Sequence, residues 1–560
     1  MLSGDDMNDN ERFKIISDDF ADIVIEYNNN MSYFERFGEY SYNLINDKYA
    51  IIHIPAEALD ENAIRNFGYF AIPKCYGLLT YLKEQVEREY TVRSFPEYNL
   101  TGSGVLVGII DTGIVYTNPI FINADNTSKV KAIWDQTIDS GRYPEGMFYG
   151  TEYSQEEISH ALASETPLQI VPSTDTIGQG TAMAGIAAGY QSEDNGFSGV
   201  AVGAELVVVK LKQAKNNIMD FYGIPQDTYC YQMNDIMMGI QYLMNLSRRL
   251  NRPIVICVGL GSSQGSHKGE DIMSNYLTES ATAAGIAIVV AAGNEGDTSH
   301  HYFGEIVPPE PYDLVELKVG PLDRYFSMEL WGYLPNVVTV EIINPDGDSV
   351  AVLRPDFVGQ RNYTIEYQEM IIYVDSYISE TYSEEQLILF RFKNIPEGIW
   401  RFRTSGTYDL ISQYHIWLPI RNFLTSETYF HYANPFTTIS IPGNALNILT
   451  TTSYNPISRE LSESAGRGFT ASFVPKPDIA APGEHILVPT IINTFIPLSG
   501  TSLASAFAGG ISAGLLEWGI LQGNMPGMNS ISIRYFLTNS AVRSNEHLYP
   551  NPGWGYGLIE

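Results

Sequence analysis

Two hydrophobic textures alternate along this chain. Residues 105–110, Val105-Leu106-Val107-Gly108-Ile109-Ile110, form an unbroken apolar run of strand length, the pattern of a strand buried on both faces. Similar runs recur at residues 206–209, 254–258 and 286–290, with helical patterns between them at 235–250 and 272–284. Strands alternating with helices predict a parallel sheet covered on both faces. Ligands in such sheets bind at the carboxyl ends of the strands, and Asp111 and Asn294 both fall just past such ends.

From residue 303 to 438 the texture changes to short alternating stretches without helices. Residues 337–343 and 349–353 flank Asn344-Pro345-Asp346-Gly347-Asp348, a run of turn residues that predicts a hairpin. Further strand patterns lie at 371–374, 387–392 and 398–402, so this region reads as a β-sandwich inserted into the α/β unit. Asp346 and Asp348 read as a solvated turn, with calcium ligation as the alternative. The α/β texture resumes at 449–452. Ahead of it all, residues 1–97 read as a small α+β unit. Its predicted strands are 23–25, 50–55 and 69–73, and its predicted helix spans 57–65. The expected organisation is therefore 1–97, 98–302, 303–438 and 439–560.

Composition narrows the partners. The chain has 560 residues, with 33 basic against 65 acidic side chains and a formal charge of −32. That surface repels phosphate backbones and anionic lipid, so neither nucleic acid nor membrane is an expected partner. Cys75, Cys230 and Cys257 are too few and too scattered for a disulfide framework or a zinc site. The acidic start, Met1-Leu2-Ser3-Gly4-Asp5-Asp6, lacks the basic and apolar regions of a signal peptide.

The candidate chemistry centres on Gly500-Thr501-Ser502-Leu503-Ala504, which opens a helix so rich in small residues that other backbone must press against it. A Ser502 hydroxyl there would sit among N–H groups without intrahelical partners, well placed for a nucleophile. The alternative is that Thr501 or Ser502 caps the helix. Asp111 reads equally as a turn residue, and Asn294 as a loop residue with a left-handed tendency. Their order is the informative part: a strand ending in Asp111-Thr112-Gly113, then Ala291-Ala292-Gly293-Asn294, then Gly500-Thr501-Ser502, with Lys476-Pro477-Asp478-Ile479-Ala480-Ala481-Pro482-Gly483 between the last two.

In that order and context these motifs resemble the subtilisin-like serine proteases (peptidase family S8) over nearly all of residues 100–560. The resemblance implies a three-layer subtilisin-like α/β fold with a parallel sheet, an N-terminal α+β prodomain and an inserted sandwich of jelly-roll type. It implies Ser502 as nucleophile and Asp111 as the carboxylate that orients the base. Asn294 would be the oxyanion-hole donor, assisted by the Ser502 N–H. Gly259-Leu260-Gly261 would pair with an extended protein or peptide substrate. The chain's own prodomain is a further expected partner. No cofactor is expected; calcium stays open, with no ligands placed.

One position departs from the pattern. The stretch Gly178-Gln179-Gly180-Thr181 stands where the family carries its histidine, and a carboxamide cannot accept a proton near neutral pH. The expectation is a catalytically inactive or severely impaired pseudoprotease. The alternative is an active S8 endopeptidase carrying an inactivating substitution at 179. His300 and His301 are the nearest candidates for a substitute base, with a structural role in their loop as the other reading. Asp175 reads as an exposed turn residue. Gly293-Asn294-Glu295-Gly296 followed by His300-His301 and a sandwich is similar to the clostridial spore-germination (Csp) subtilases. That similarity, with no signal peptide in view, implies a cytoplasmic or spore-associated protein.

Overall fold

Eight strands make the central sheet, in the spatial order Ile479–Pro482, Leu449–Tyr454, Ile286–Ala291, Ile254–Val258, Leu106–Asp111, Glu205–Lys210, Val130–Asp135, Thr151–Ser154. They belong to a computed structural model that describes residues 9–560 apart from 39, 83–87, 94–99, 193, 195, 356–359 and 407–409. The first seven strands run parallel and the last pairs antiparallel at the edge.

The unbroken apolar runs have a direct structural cause. Successive side chains of a strand point to opposite faces, and here both faces carry a core. Leu106, Ile110, Ile254, Ile256, Val258, Ile288 and Val290 pack on the side of helices Met233–Leu250 and Ile272–Ser280. Val105, Val107, Ile109, Val255, Cys257 and Val289 pack on the side of helices Gln179–Ala188 and Thr501–Leu516. Those two helices touch closely. A Cβ on Gly510 would lie 2.9 Å from the Ala187 carbonyl oxygen, so the small residues are there to let backbone approach. The segment Thr501–Leu521 is apolar enough to span a bilayer by length and composition, but 72% of its most apolar window is buried, as in a core helix.

Register then sets the site. Val258 lies level with Ile110 on one side and Val290 on the other. The three central strands therefore end together, bringing Asp111, Gly259 and the Ala291–Asn294 turn to one rim.

The insert is built of two antiparallel sheets, six-stranded and five-stranded, running from His301 to Phe430. Their facing sides share one core that includes Val315, Phe326, Leu330, Phe390, Trp400 and Phe402. Val338–Ile343 and Ser349–Leu353 form the hairpin, closed by Asn344 N donating to the Asp348 carbonyl at 3.0 Å. Asp346 and Asp348 stand exposed in that turn.

The N-terminal unit holds a three-stranded antiparallel sheet of Phe20–Glu26, Tyr49–Pro55 and Ser41–Leu44. Two expectations are corrected here. Residues 69–73 form no strand: they turn, giving one ladder-like bond from Val24 N to the Ala71 carbonyl, and Pro73 has no N–H to continue a ladder. The strand begins later, at Cys75–Leu78. The predicted 57–65 helix is split into a short 3₁₀ turn, Ala56–Ala58, and a helix at Ala63–Phe67. Between them the Asp60 carboxylate accepts from Asn62 N at 2.8 Å, a local bond that competes with helix. The boundary expected at residue 97 lies outside the described residues.

A buried polar cluster attaches this unit to the body. Lys215 Nζ lies 2.9 Å from Asp22 Oδ1, which also meets His53 Nδ1 at 2.7 Å. Burial alone would raise the Asp22 carboxyl, yet Lys215 and His53 hold it well below the usual carboxylate range.

Candidate active site

The rim of the central strands is a groove, and a piece of the same chain runs through it. Strand Cys75–Leu78 lies between Leu260–Gly261 and Tyr231–Gln232, antiparallel to both. Leu78 faces Leu260 and Gly77 faces Gly261. Beyond the strand, Tyr81 N donates to the Ser499 carbonyl at 2.8 Å and Ser499 N donates back at 3.0 Å. Main-chain bonds of this kind hold an extended segment with little regard to its side chains. Of the three expected pairing residues, Leu260 and Gly261 pair with this segment. Gly259 instead offers its carbonyl to Gln179 Nε2 at 2.9 Å.

Ser502 is the second residue of helix Thr501–Leu516 and is fully buried. The capping alternative falls away, because the N-cap is Gly500. Ser502 Oγ donates instead to the Leu79 carbonyl at 2.9 Å and is also hydrogen-bonded to Thr80 Oγ1. Gly500 has φ +148°, a region that disfavours side chains, and a Cβ there would collide with the same Leu79 oxygen. Glycine at 500 therefore makes the room in which the Leu79 carbonyl sits.

Asn294 completes that setting. Its Nδ2 donates to the Leu79 oxygen at 2.8 Å. Its Oδ1 accepts from Thr501 N at 3.1 Å and from Thr501 Oγ1 at 3.0 Å. Two donors on the oxygen end leave the amide only one orientation, nitrogen towards Leu79. The Leu79 carbonyl thus receives two donors at once; Asn294 Nδ2 is the one suited to stabilise negative charge developing on that oxygen, because an attacking Ser502 hydroxyl would give up its proton.

The other side of the groove carries Asp111 and Gln179. Asp111 ends its strand with no solvent exposure, taking Thr112 N on Oδ1 at 2.8 Å and Gln179 Nε2 on Oδ2 at 2.7 Å. Burial pushes its carboxyl up to about 7, against the pull of those two bonds. Gln179 opens helix Gln179–Ala188. Its Nε2 serves both Asp111 and the Gly259 carbonyl, and its Oε1 accepts from Leu79 N at 3.0 Å. The side chain thus bridges Asp111 to the segment in the groove, and none of these bonds is to Ser502.

Asp175 is corrected from exposed turn to buried support. It is 2% exposed, and its carboxylate accepts from Ile177 N, Gly178 N, Thr181 N and Thr181 Oγ1. The bond from Thr181 N satisfies one otherwise orphan N–H of the first turn of the helix that carries Gln179, and those from Ile177 N and Gly178 N hold the turn leading into it. Its place just ahead of a helix start was the sequence signal for this role.

His300 and His301 are bonded elsewhere than at Ser502. His300 Nδ1 lies 3.4 Å from Glu295 Oε2. His301 bonds the Asn434 carbonyl at 2.9 Å and His415 Nδ1 at 2.8 Å, and burial pushes it down to about 3. Neither is a partner of Ser502 Oγ, whose bonds go to Leu79 and Thr80. Sequence reasoning expected an N-terminal prodomain that blocks the cleft but did not name Leu79 and Thr80, because nothing local in residues 75–81 marks a strand that pairs with residues more than 150 positions away.

Comparison with known proteins bears on the family and the fold. The family model described as "Subtilase family" (peptidase S8) matches residues 102–351 and 431–557. Among solved structures, the Clostridium perfringens CspB protease is 30% identical, with a TM-score of 0.74, covering 82% of this chain and 92% of that one. Weaker similarities include the S41 psychrophilic protease, 15% identical over 82% of this chain and 91% of that one with a TM-score of 0.40. Sphericase is 14% identical over the same shares, also at 0.40.

Proposed function

The chain belongs to the subtilase family, and we propose that within it this protein is a pseudoprotease: a peptidase scaffold that binds an extended protein segment in its groove without cutting it efficiently. The observation that carries this is the bonding of Gln179. In a working member a base in that position takes the serine proton as the hydroxyl attacks the carbonyl carbon. Here the amide nitrogen is spent on Asp111 and Gly259 and the amide oxygen on Leu79 N. An amide oxygen holds no proton near neutral pH. Removing the histidine from a member of this family costs roughly 10⁶-fold in kcat, a magnitude carried over from that relative.

In this reading Asp111, Gln179 and Ser502 stand at the triad positions, and Asn294 is the oxyanion-hole donor. Residues Cys75 to Tyr81 belong to a prodomain that stays in the groove, with Leu79–Thr80 as the bond presented to Ser502. The resemblance to Csp subtilases adds the setting, signalling in spore germination through a protein partner. The retained geometry around Ser502, Thr501 and Asn294 favours one second reading, an endopeptidase disabled only by the residue at 179.

Intact-mass measurement tests both. The purified chain is expected at its full 62.4 kDa, uncut at Leu79–Thr80. Appearance of a chain beginning at Thr80, with no protease added, would overturn the inactive reading. Cleavage by Gln179→His would support the second; an uncut Gln179→His chain would sink it and leave the pseudoprotease reading alone.

A further inference from the structure

The insert reaches back into the groove. After its strand Ser412–Trp417 the chain crosses the rim as a short strap, Ile420-Arg421-Asn422-Phe423. The strap is tied down beside the Ser502 site. Arg421 N donates to Glu295 Oε2 at 3.1 Å, the Arg421 guanidinium pairs with Asp297, and Phe423 N donates to the Ile420 carbonyl at 2.9 Å. Glu295 is the residue after Asn294. Burial would raise its carboxyl, but His300 and Arg421 hold it below its ordinary value, so it stays charged beneath the strap.

Each strap residue meets the segment in the groove. Asn422 Nδ2 donates to the Leu78 carbonyl at 2.7 Å. The Arg421 guanidinium lies 5.7 Å from the Tyr81 ring centroid, on the far side of the Leu79–Thr80 bond, within cation–π range. Ile420 and Phe423 are 1% and 4% exposed, and they fill the space next to Gly77. A Cβ on Gly77 would come within 2.5 Å of Ile420 Cδ1, with the Phe423 ring carbons behind it at 3.3 and 3.4 Å. A methyl group could be admitted only by moving Ile420; a longer side chain has nowhere to go.

We propose that the Ile420–Phe423 strap is a specificity element supplied by the insert. It restricts the groove to an extended protein segment with glycine two residues before the carbonyl that Ser502 meets and an aromatic residue two after. Asn422 fixes the main chain between them. The proposal rests on the groove holding an extended segment, and not on whether that segment is cut.

Hydrogen exchange of the amides in residues 75–81 of the full chain tests it. Gly77→Ala should speed exchange severalfold and Gly77→Leu about tenfold or more. Asn422→Ala should speed it severalfold. The deciding variant is Gly77→Ala with Ile420→Ala: removing the Ile420 branch should restore protection to within about twofold of the parent. A strap that only stabilises the fold would show the two substitutions adding their damage. That result, or unchanged exchange in both Gly77 variants, would overturn the proposal. If Gly77→Leu fails to fold, the Ala pair still decides. Intact mass at Leu79–Thr80, read on the same samples, reports separately on the Gln179 reading.

Discussion

On one side of the groove Ser502 and Asn294 both donate to the Leu79 carbonyl. On the other, Gln179 ties Asp111 to Gly259 and to Leu79 N. The first side is directed at an atom that would gain charge in a reaction. The second is a closed set of hydrogen bonds that, in the proposed reading, passes no proton. Gln179 satisfies Asp111 and the Gly259 carbonyl and adds a bond to the groove segment, which in the proposed reading suits holding better than cutting.

The largest test of this contrast is Gln179→His. If only the base is missing, cleavage at Leu79–Thr80 should accelerate by roughly 10⁶-fold, read as loss of intact mass with time. No acceleration would mean that the Ser502 side is also unfit for chemistry.

A second test uses Asp111. Its folded value of about 7 lies above the ordinary carboxylate value of 3.8, so its stability contribution is full below about 3.8 and is lost as pH rises through about 7. At this site that loss amounts to roughly 4 kcal/mol. Gln179→His places an ionisable ring beside the carboxylate and should flatten the slope. Urea unfolding of both chains from pH 4 to 8 measures it; parallel curves would sink the assignment.

Asn294→Ala gives a third. In the Gln179→His chain it should slow cleavage by about 10²–10³-fold, read as the first-order loss of intact mass with time. An unaffected rate would show that the Asn294 contact with Leu79 is only structural. The smallest effect is expected from Gln179→Ala in the parent chain. It removes three hydrogen bonds and should cost about 1–3 kcal/mol of stability, visible as a lower unfolding midpoint, with no change in cleavage.

Much of the α/β framework was legible because a strand buried on both faces writes itself as an unbroken apolar run. Residues 105–110 and 254–258 could be placed on that basis alone. The N-terminal unit was less legible. Residues 69–73 look like a strand but turn at Pro73, and Asp60 breaks a helix whose apolar spacing is otherwise adequate. Asp175 was misread because exposure is not written in a residue's type. Four donors from the following turn bury it.

By itself the sequence determined the residue types at the rim: an aspartate after one strand, an asparagine after another, a serine opening a small-residue helix, and glutamine where the family resemblance leads one to expect a base. Those follow from local motifs and their order. Only the tertiary structure decided that residues 75–81 fill the groove, that Leu79 meets both Ser502 and Asn294, and that the insert's strap closes over Gly77. These contacts join positions hundreds of residues apart. They depend on strand register and on how one domain packs against another, neither of which is encoded in any single stretch of chain.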